Sequence, residues 1–173
     1  MIDSILKTII NQYDFNLVYA NKLVEDLSDD QMTTTPSSGL VNHPAFTLGH
    51  LVSGSALLAE DLGAKFEMPD NWEVLFLRKG PGDPRLPDQD RSKYPSKQLL
   101  INELKHQHNK VKDLLKSVDE NKLKENIKWR FDGYMPTLLD LITFMCINHE
   151  AMHLGQLAAW RRAMNLKSAL AGL

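Results

Sequence analysis

Cysteine is nearly absent from this sequence: Cys146 is the one thiol in 173 residues. A lone thiol excludes an internal disulfide framework and fits a reducing compartment. No charge sign dominates either, since the formal net charge is −2 and the pI is about 6.3. Such balance gives no electrostatic reason to expect a nucleic-acid partner. Long hydrophobic runs are missing too. The longest, LLDLITFMCI, carries an aspartate and falls well short of the roughly 20 residues that span a bilayer, so no membrane partner is expected. The first residues, MIDSILKTIINQYDF, lack a basic stretch followed by an apolar block, which argues against a signal peptide and for a cytoplasmic protein. No segment alternates persuasively with a period of two, and no internal repeat is visible.

What remains is helical. With 43% hydrophobic residues, the chain can build one core, and residues 1–173 read as a single domain. Ile2, Ile5, Leu6, Ile9, Ile10, Tyr13 and Leu17 recur at helical spacing, predicting a first helix over residues 3–27. Ser28-Asp29-Asp30-Gln31 is a capping-box pattern that should start a short extra turn. After the turn-rich TTTPSSGLVNHP, Pro44 suits the first turn of a second helix over 45–62, closed by Gly63. Residues 64–94 hold prolines, glycines and the apolar knot NWEVLFL, and predict a long loop without a regular element that packs over something. Pro95-Ser96 opens a third helix to about Lys116, a short turn follows near 119–124, and Pro136 starts a fourth helix to about residue 164. Four long helices joined by loops predict an all-α fold, an antiparallel four-helix bundle with a long loop between helices two and three.

The fourth helix carries "INHEAMHLGQLAAWRR", with the literal H-E-x-x-H of His149 to His153. Turning 100° per residue from Leu138 sets His149 and His153 in the middle of the inward face, Gln156 one turn later, and Glu150 about a quarter turn away. A buried imidazole without a partner costs about 1–3 kcal/mol, so a pair there demands an explanation. Either each ring bonds a hydroxyl or carbonyl across the core, or the i, i+4 spacing brings two nitrogens to one ion. A zinc peptidase needs a further ligand downstream, yet residues 154–173 contain no His, Asp, Glu or Cys. Any third ligand must lie upstream. His106 and His108 sit among Lys, Gln and Asn and read as exposed, and His43 either caps the second helix or is solvated. His50 falls at the margin of its helix's apolar stripe, where the wheel leaves it open. Cys146 is more often a small hydrophobe than a ligand.

Three stretches, "NHPAFTLGHL", "NWEVLF" with its Gly/Pro/Asp-rich sequel and "YPS", and "HEAMHLGQLAAWRR", resemble the DinB-like (DinB/YfiT-like) metalloenzyme superfamily over nearly the whole chain. The HxxxHxGQ element is the most specific of them. The resemblance implies a three-histidine site in which His50 joins His149 and His153. Three imidazoles with an open side suit a catalytic Zn²⁺ or Ni²⁺, and the sequence does not choose between them. Characterised members include thiol-dependent S-transferases, which makes a low-molecular-weight thiol a candidate co-substrate and a small electrophile the candidate substrate. Two further readings are a metal or small-molecule binding module without turnover, and a metal-dependent hydrolase with Glu150 as base. Catalytic residues are not assigned.

Around the site, Trp72, Phe76, Arg78 and Tyr94 could line the open side, although Trp72 and Phe76 could equally anchor the loop to the bundle. Arg130, Arg161 and Arg162 could meet an anionic substrate or serve as helix-dipole partners and surface charge. Phe144, Ile147, Ala151, Leu154 and Ala158 leave the fourth helix apolar nearly all round, so the loop or a second subunit must cover it; a homodimer is expected.

Overall fold

The computed structural model describes residues 2–36, 39–80 and 83–173. Ser37 and Ser38 of the turn-rich connection, and Pro81 and Gly82 of the long loop, lie outside them. The helices in chain order are α1 (Ile2–Val24), α2 (Pro44–Asp61), α3 (Trp72–Phe76), α4 (Lys97–Ser117), α5 (Glu120–Leu123), α6 (Leu138–Thr143) and α7 (Glu150–Ala163). A π-helical turn, Phe144–His149, fuses α6 to α7. Among the described residues there is no strand, only an isolated bridge between Asn126 and Thr137. The all-α bundle of four long helical stretches is thus present, with the long connection between the second and third.

Capping chemistry sets the helix starts. Pro44 occupies the first turn of α2, and the His43 Nδ1 accepts the Phe46 backbone N–H at 3.1 Å, so His43 is a cap and not a solvated side chain. Its Nε2–H donates to the Asp88 carbonyl at 3.0 Å and ties the long loop to the start of α2. Ser96 caps α4, and Thr137 with Asp140 forms a reciprocal box at α6. Ser28 and Gln31 exchange the two bonds of the expected box, and a 3₁₀ turn, Gln31–Thr33, follows.

The core divides into two ends. One gathers Leu23, Leu48, Leu51, Leu100, Leu104, Leu157 and Trp160; the other gathers Ile9, Tyr13, Leu58, Val111, Leu115, Leu138 and Ile142. α1 therefore runs antiparallel to α4, and α2 antiparallel to α7, while α2 and α4 run parallel. The segment after α2 causes this. It must climb back along the bundle before α4 can begin, so it crosses over rather than turning. On the way Gln107 donates to the Glu67 carbonyl at 3.0 Å and Lys110 to the Lys65 carbonyl at 3.1 Å.

The crossover differs from the expected featureless loop. It contains α3 and a 3₁₀ turn, Arg91–Lys93, because Trp72, Phe76 and Tyr94 are buried in the first core cluster and fold the chain locally around them. These aromatic rings anchor the segment. The apolar residues of the last helix are also largely covered within the chain: Leu154 is fully buried, Ala158 and Ile147 pack on the core, and Phe144 meets Trp129 edge-on and Phe131 at a tilt. Only Ala151 of that group is exposed, so the apolar face gives no reason of its own for a second subunit. No helix is long and apolar enough to cross a membrane, among the described residues.

Candidate metal centre

The π turn decides which side chains of the last helix meet the core. Upstream, Leu138, Leu141, Ile142 and Cys146 are buried; downstream, Glu150, Leu154, Leu157 and Arg161 are. On an uninterrupted α-helix the second set is displaced from the first by about 100°, one residue's rotation. The wider turn absorbs that extra residue, a device found often at functional sites. Two sequence expectations shift as a result. Glu150 lies not a quarter turn away but in the core, 2% exposed, and His149 and His153 are half-buried at the edge of the core face. Asn16 of α1 donates to the Cys146 carbonyl inside the turn at 3.1 Å.

That edge faces α2. One ligand nitrogen from each of His50, His149 and His153 lies within 4.8 Å of the other two. The rings are 5.4 Å (His50 to His149), 4.6 Å (His50 to His153) and 4.6 Å (His149 to His153) apart between centroids. Two of the rings are oriented from behind. The His50 Nδ1–H donates to the Phe76 carbonyl at 3.0 Å, and the His153 Nδ1–H donates to Gln156 Oε1 at 3.2 Å. Gln156 also accepts from Asn42 at 3.3 Å. Such partners fix the tautomer and leave Nε2 as the free nitrogen, the arrangement that metal-binding histidines almost always show. Gln156 is thus a hydrogen-bonding support for His153.

Two glycines of α2 make this approach sterically open. A Cβ on Gly54 would sit 3.0 Å from the His149 Cε1, so the glycine seats that ring. A Cβ on Gly49 would overlap the Phe76 ring at 2.3 Å. Because Phe76 can lie flat against the helix there, its carbonyl reaches His50.

Charge on these imidazoles is strongly disfavoured. Burial, with His153 and His50 nearby, lowers the pKa of His149 to about 3. Burial and His50 lower His153 to about 4, partly opposed by Gln156. His50 is lowered by burial against the opposing Phe76 carbonyl, with a further push from Arg78. Three neutral, convergent nitrogen donors without a carboxylate are a donor set that could hold a divalent transition metal.

The remaining candidates fall elsewhere. Cys146 is fully buried, its thiol pushed up chiefly by burial, and it does not join the cluster. His106 is exposed as expected, but His108 is not: it is fully buried, against the sequence expectation. Its Nε2 pairs with Glu150 Oε1 at 2.7 Å, and its ring stacks on Tyr13 at 3.7 Å, while Tyr13 bonds Ser55 at 2.7 Å. Burial raises the Glu150 pKa, and His108 and Asn16 oppose the rise. A signal existed: His108 continues the Leu100, Leu104, Val111, Leu115 stripe at helical spacing, and its polar neighbours masked it.

Of the arginines, Arg161 is buried and committed, bridging both Asp26 oxygens at 2.6 and 2.9 Å and donating to the Leu23 and Lys167 carbonyls. It cannot greet a substrate. Arg162 is exposed. Arg78 lies with its guanidinium 4.4 Å from the centre of Phe46, the ring that stacks on His50.

Comparison with known proteins bears on the family and the fold. The sequence profile of the DinB superfamily matches residues 12–157. No curated protein matches the sequence. Among solved structures, a conserved protein from Enterococcus faecalis superposes with a TM-score of 0.71, at 17% identity, over 91% of this chain and 95% of that one. At that identity the likeness shows the fold.

Proposed function

The chain belongs to the DinB superfamily, and on that premise we propose that it is a divalent-metal-dependent enzyme that joins a low-molecular-weight thiol to a small electrophile. His50, His149 and His153 hold Zn²⁺ or Ni²⁺ in this reading. The observation that carries it is the convergence of three ring nitrogens within 4.8 Å, two of the rings oriented from behind by Phe76 and Gln156. A cation bound there would supply the positive charge that keeps a thiol ionised near neutral pH and polarises an acceptor.

The chain's own residues prepare that setting. Burial keeps His149 and His153 unprotonated, so no proton must leave before a ligand nitrogen is available. Phe46 stacks on His50 at 5.6 Å between ring centres, and Phe144 lies tilted 6.5 Å from His149. In the transfer itself the thiol loses its proton to solvent, a bond forms from sulfur to the acceptor's carbon, and the leaving group departs with the bonding pair. A cytoplasmic setting suits both the free Cys146 and a reduced thiol.

The hydrolase alternative loses its base. Glu150 is turned into the core against His108 and is absent from the group of convergent ligands. A binding module without turnover shares the same three residues and is separated by experiment. Protein purified without added metal should carry close to one equivalent by elemental analysis. A screen of thiols against electrophilic acceptors should then show transfer that a chelator abolishes. Bound metal with no transfer across the screen would leave a binding module; no bound metal would overturn both.

A further inference from the structure

Two aromatic arms run outward from the histidine cluster, and each ends on an arginine. From His50 the first passes through Phe46, stacked at 5.6 Å and 11°, to the Arg78 guanidinium at 4.4 Å. From His149 the second passes through Phe144 at 6.5 Å and Phe131 at 5.2 Å to Arg130, whose guanidinium lies 5.4 Å from the Phe131 ring. The arms meet: a Cβ on Gly80, two residues after Arg78, would sit 3.1 Å from Arg130 Nη1. The circuit is therefore closed around one side of the cluster.

Neither arginine has a carboxylate partner among the described residues. Arg78 Nη1 donates to the Leu75 and Leu77 carbonyls at 3.1 and 3.3 Å, which holds the side chain in place and leaves Nε and Nη2 uncommitted. The nearest acid in sequence, Asp83, is taken by Arg85, through Nε at 2.9 Å and Nη2 at 2.5 Å. Arg130 makes no ion pair among the described residues, although Lys128 and Asp132 beside it pair with each other at 3.2 Å. A half-buried guanidinium that is pinned by carbonyls, set over an aromatic ring and, among the described residues, in ion-pair contact with no carboxylate, although Asp83 acts on it from further off, is preorganised for a planar anion.

The geometry points to a carboxylate-recognition subsite: Arg78, assisted by Arg130, holds the carboxylate of a small planar or apolar molecule whose reacting end faces His50, His149 and His153. This deepens the proposed function, and rests on it, by naming the substrate class. The carboxylate can belong to the acceptor or to the thiol, and the same two nitrogens would take either.

Benzoate against benzamide, and 3-mercaptopropionate against 2-mercaptoethanol, test the two sources. Binding is read by ligand-observed NMR at pH 8, on the protein as purified and after chelation. Wild type should prefer the charged member of at least one pair by tenfold or more. Arg78→Gln should erase that preference without weakening the neutral member, Arg78→Lys should keep part of it, and Arg130→Gln should reduce it less. Preference confined to the benzoate pair assigns the carboxylate to the acceptor; preference confined to the thiol pair assigns it to the thiol. Equal binding of charged and neutral members by wild type overturns the subsite, as does a preference that survives Arg78→Gln. The chelated arm reads the subsite even if no metal is bound, so its outcome and that of the metal assignment separate.

Discussion

His149 and Glu150 are neighbours in sequence, yet they belong to two polar clusters of opposite kind, one half-buried and one buried. Glu150, His108, Tyr13 and Ser55 form a chain of mutual contacts: acid to imidazole at 2.7 Å, imidazole stacked on phenol, phenol to hydroxyl at 2.7 Å. Each residue there touches the next, although His108 Nδ1 and Glu150 Oε2 are left without a hydrogen-bond partner among the described residues. His50, His149 and His153 do the reverse. The hydrogen bonds of His50 and His153 lead away from the cluster, to Phe76 and Gln156, while one nitrogen of each of the three rings lies within 4.8 Å of the other two. Polar residues whose partners are each other hold a fold together; the three histidines are the ones available for the metal role proposed above.

The sharpest way to break this contrast is to cut the first cluster. Glu150→Leu alone leaves His108 buried without its acid and should cost about 3–5 kcal/mol, read by urea denaturation, because half of a buried pair is worse than none. The double variant Glu150→Leu with His108→Leu should recover most of that loss and still bind metal. Loss of metal binding in a folded double variant would show that the two clusters are one. Next in size, Gly49→Ala drives a methyl into the Phe76 ring and should cost about 1–3 kcal/mol. Since Phe76 also holds His50, metal affinity should fall severalfold with it, by isothermal titration calorimetry; an unchanged affinity would mean that His50 needs no support from the crossover.

His153→Ala should act on the second cluster alone. Bound metal should drop at least tenfold, equivalent to about 1.4 kcal/mol, with the circular-dichroism signal and the metal-free stability nearly unchanged. Smallest, Asn16→Ala removes one donor to the Cys146 carbonyl and should cost about 1 kcal/mol. A larger drop in metal affinity than in stability would reveal that Asn16 sets the register of the ligands.

Much of this was readable beforehand, and the failures have physical causes. The long helices followed from apolar spacing and their starts from Pro44, Pro95-Ser96 and Pro136, whereas the Thr137 cap of α6 appears only in the structure. The pairing of His149 with His153 followed from their i, i+4 separation. His50 did not follow from its helical wheel, because its orientation depends on the Phe76 carbonyl 26 residues away, and only family resemblance supplied it. α3 was missed because its five residues are held by burial of Trp72 and Phe76 rather than by length. The parallel pairing of α2 with α4 rests on the path of the crossover, which no local pattern encodes.

The surplus residue between α6 and α7 gives the helix a phase, much as an offset tooth does a gear. Excising one residue from 144–148 would leave H-E-x-x-H intact as text, but would swing everything beyond it by about 100°. Glu150 would leave its seat opposite His108, and His149 and His153 would turn away from their α2 counterpart. Spacing within the motif is therefore only half of its specification; the other half is the number of residues that separate it from Leu138. Any attempt to graft this site onto another bundle must transplant that count along with the histidines.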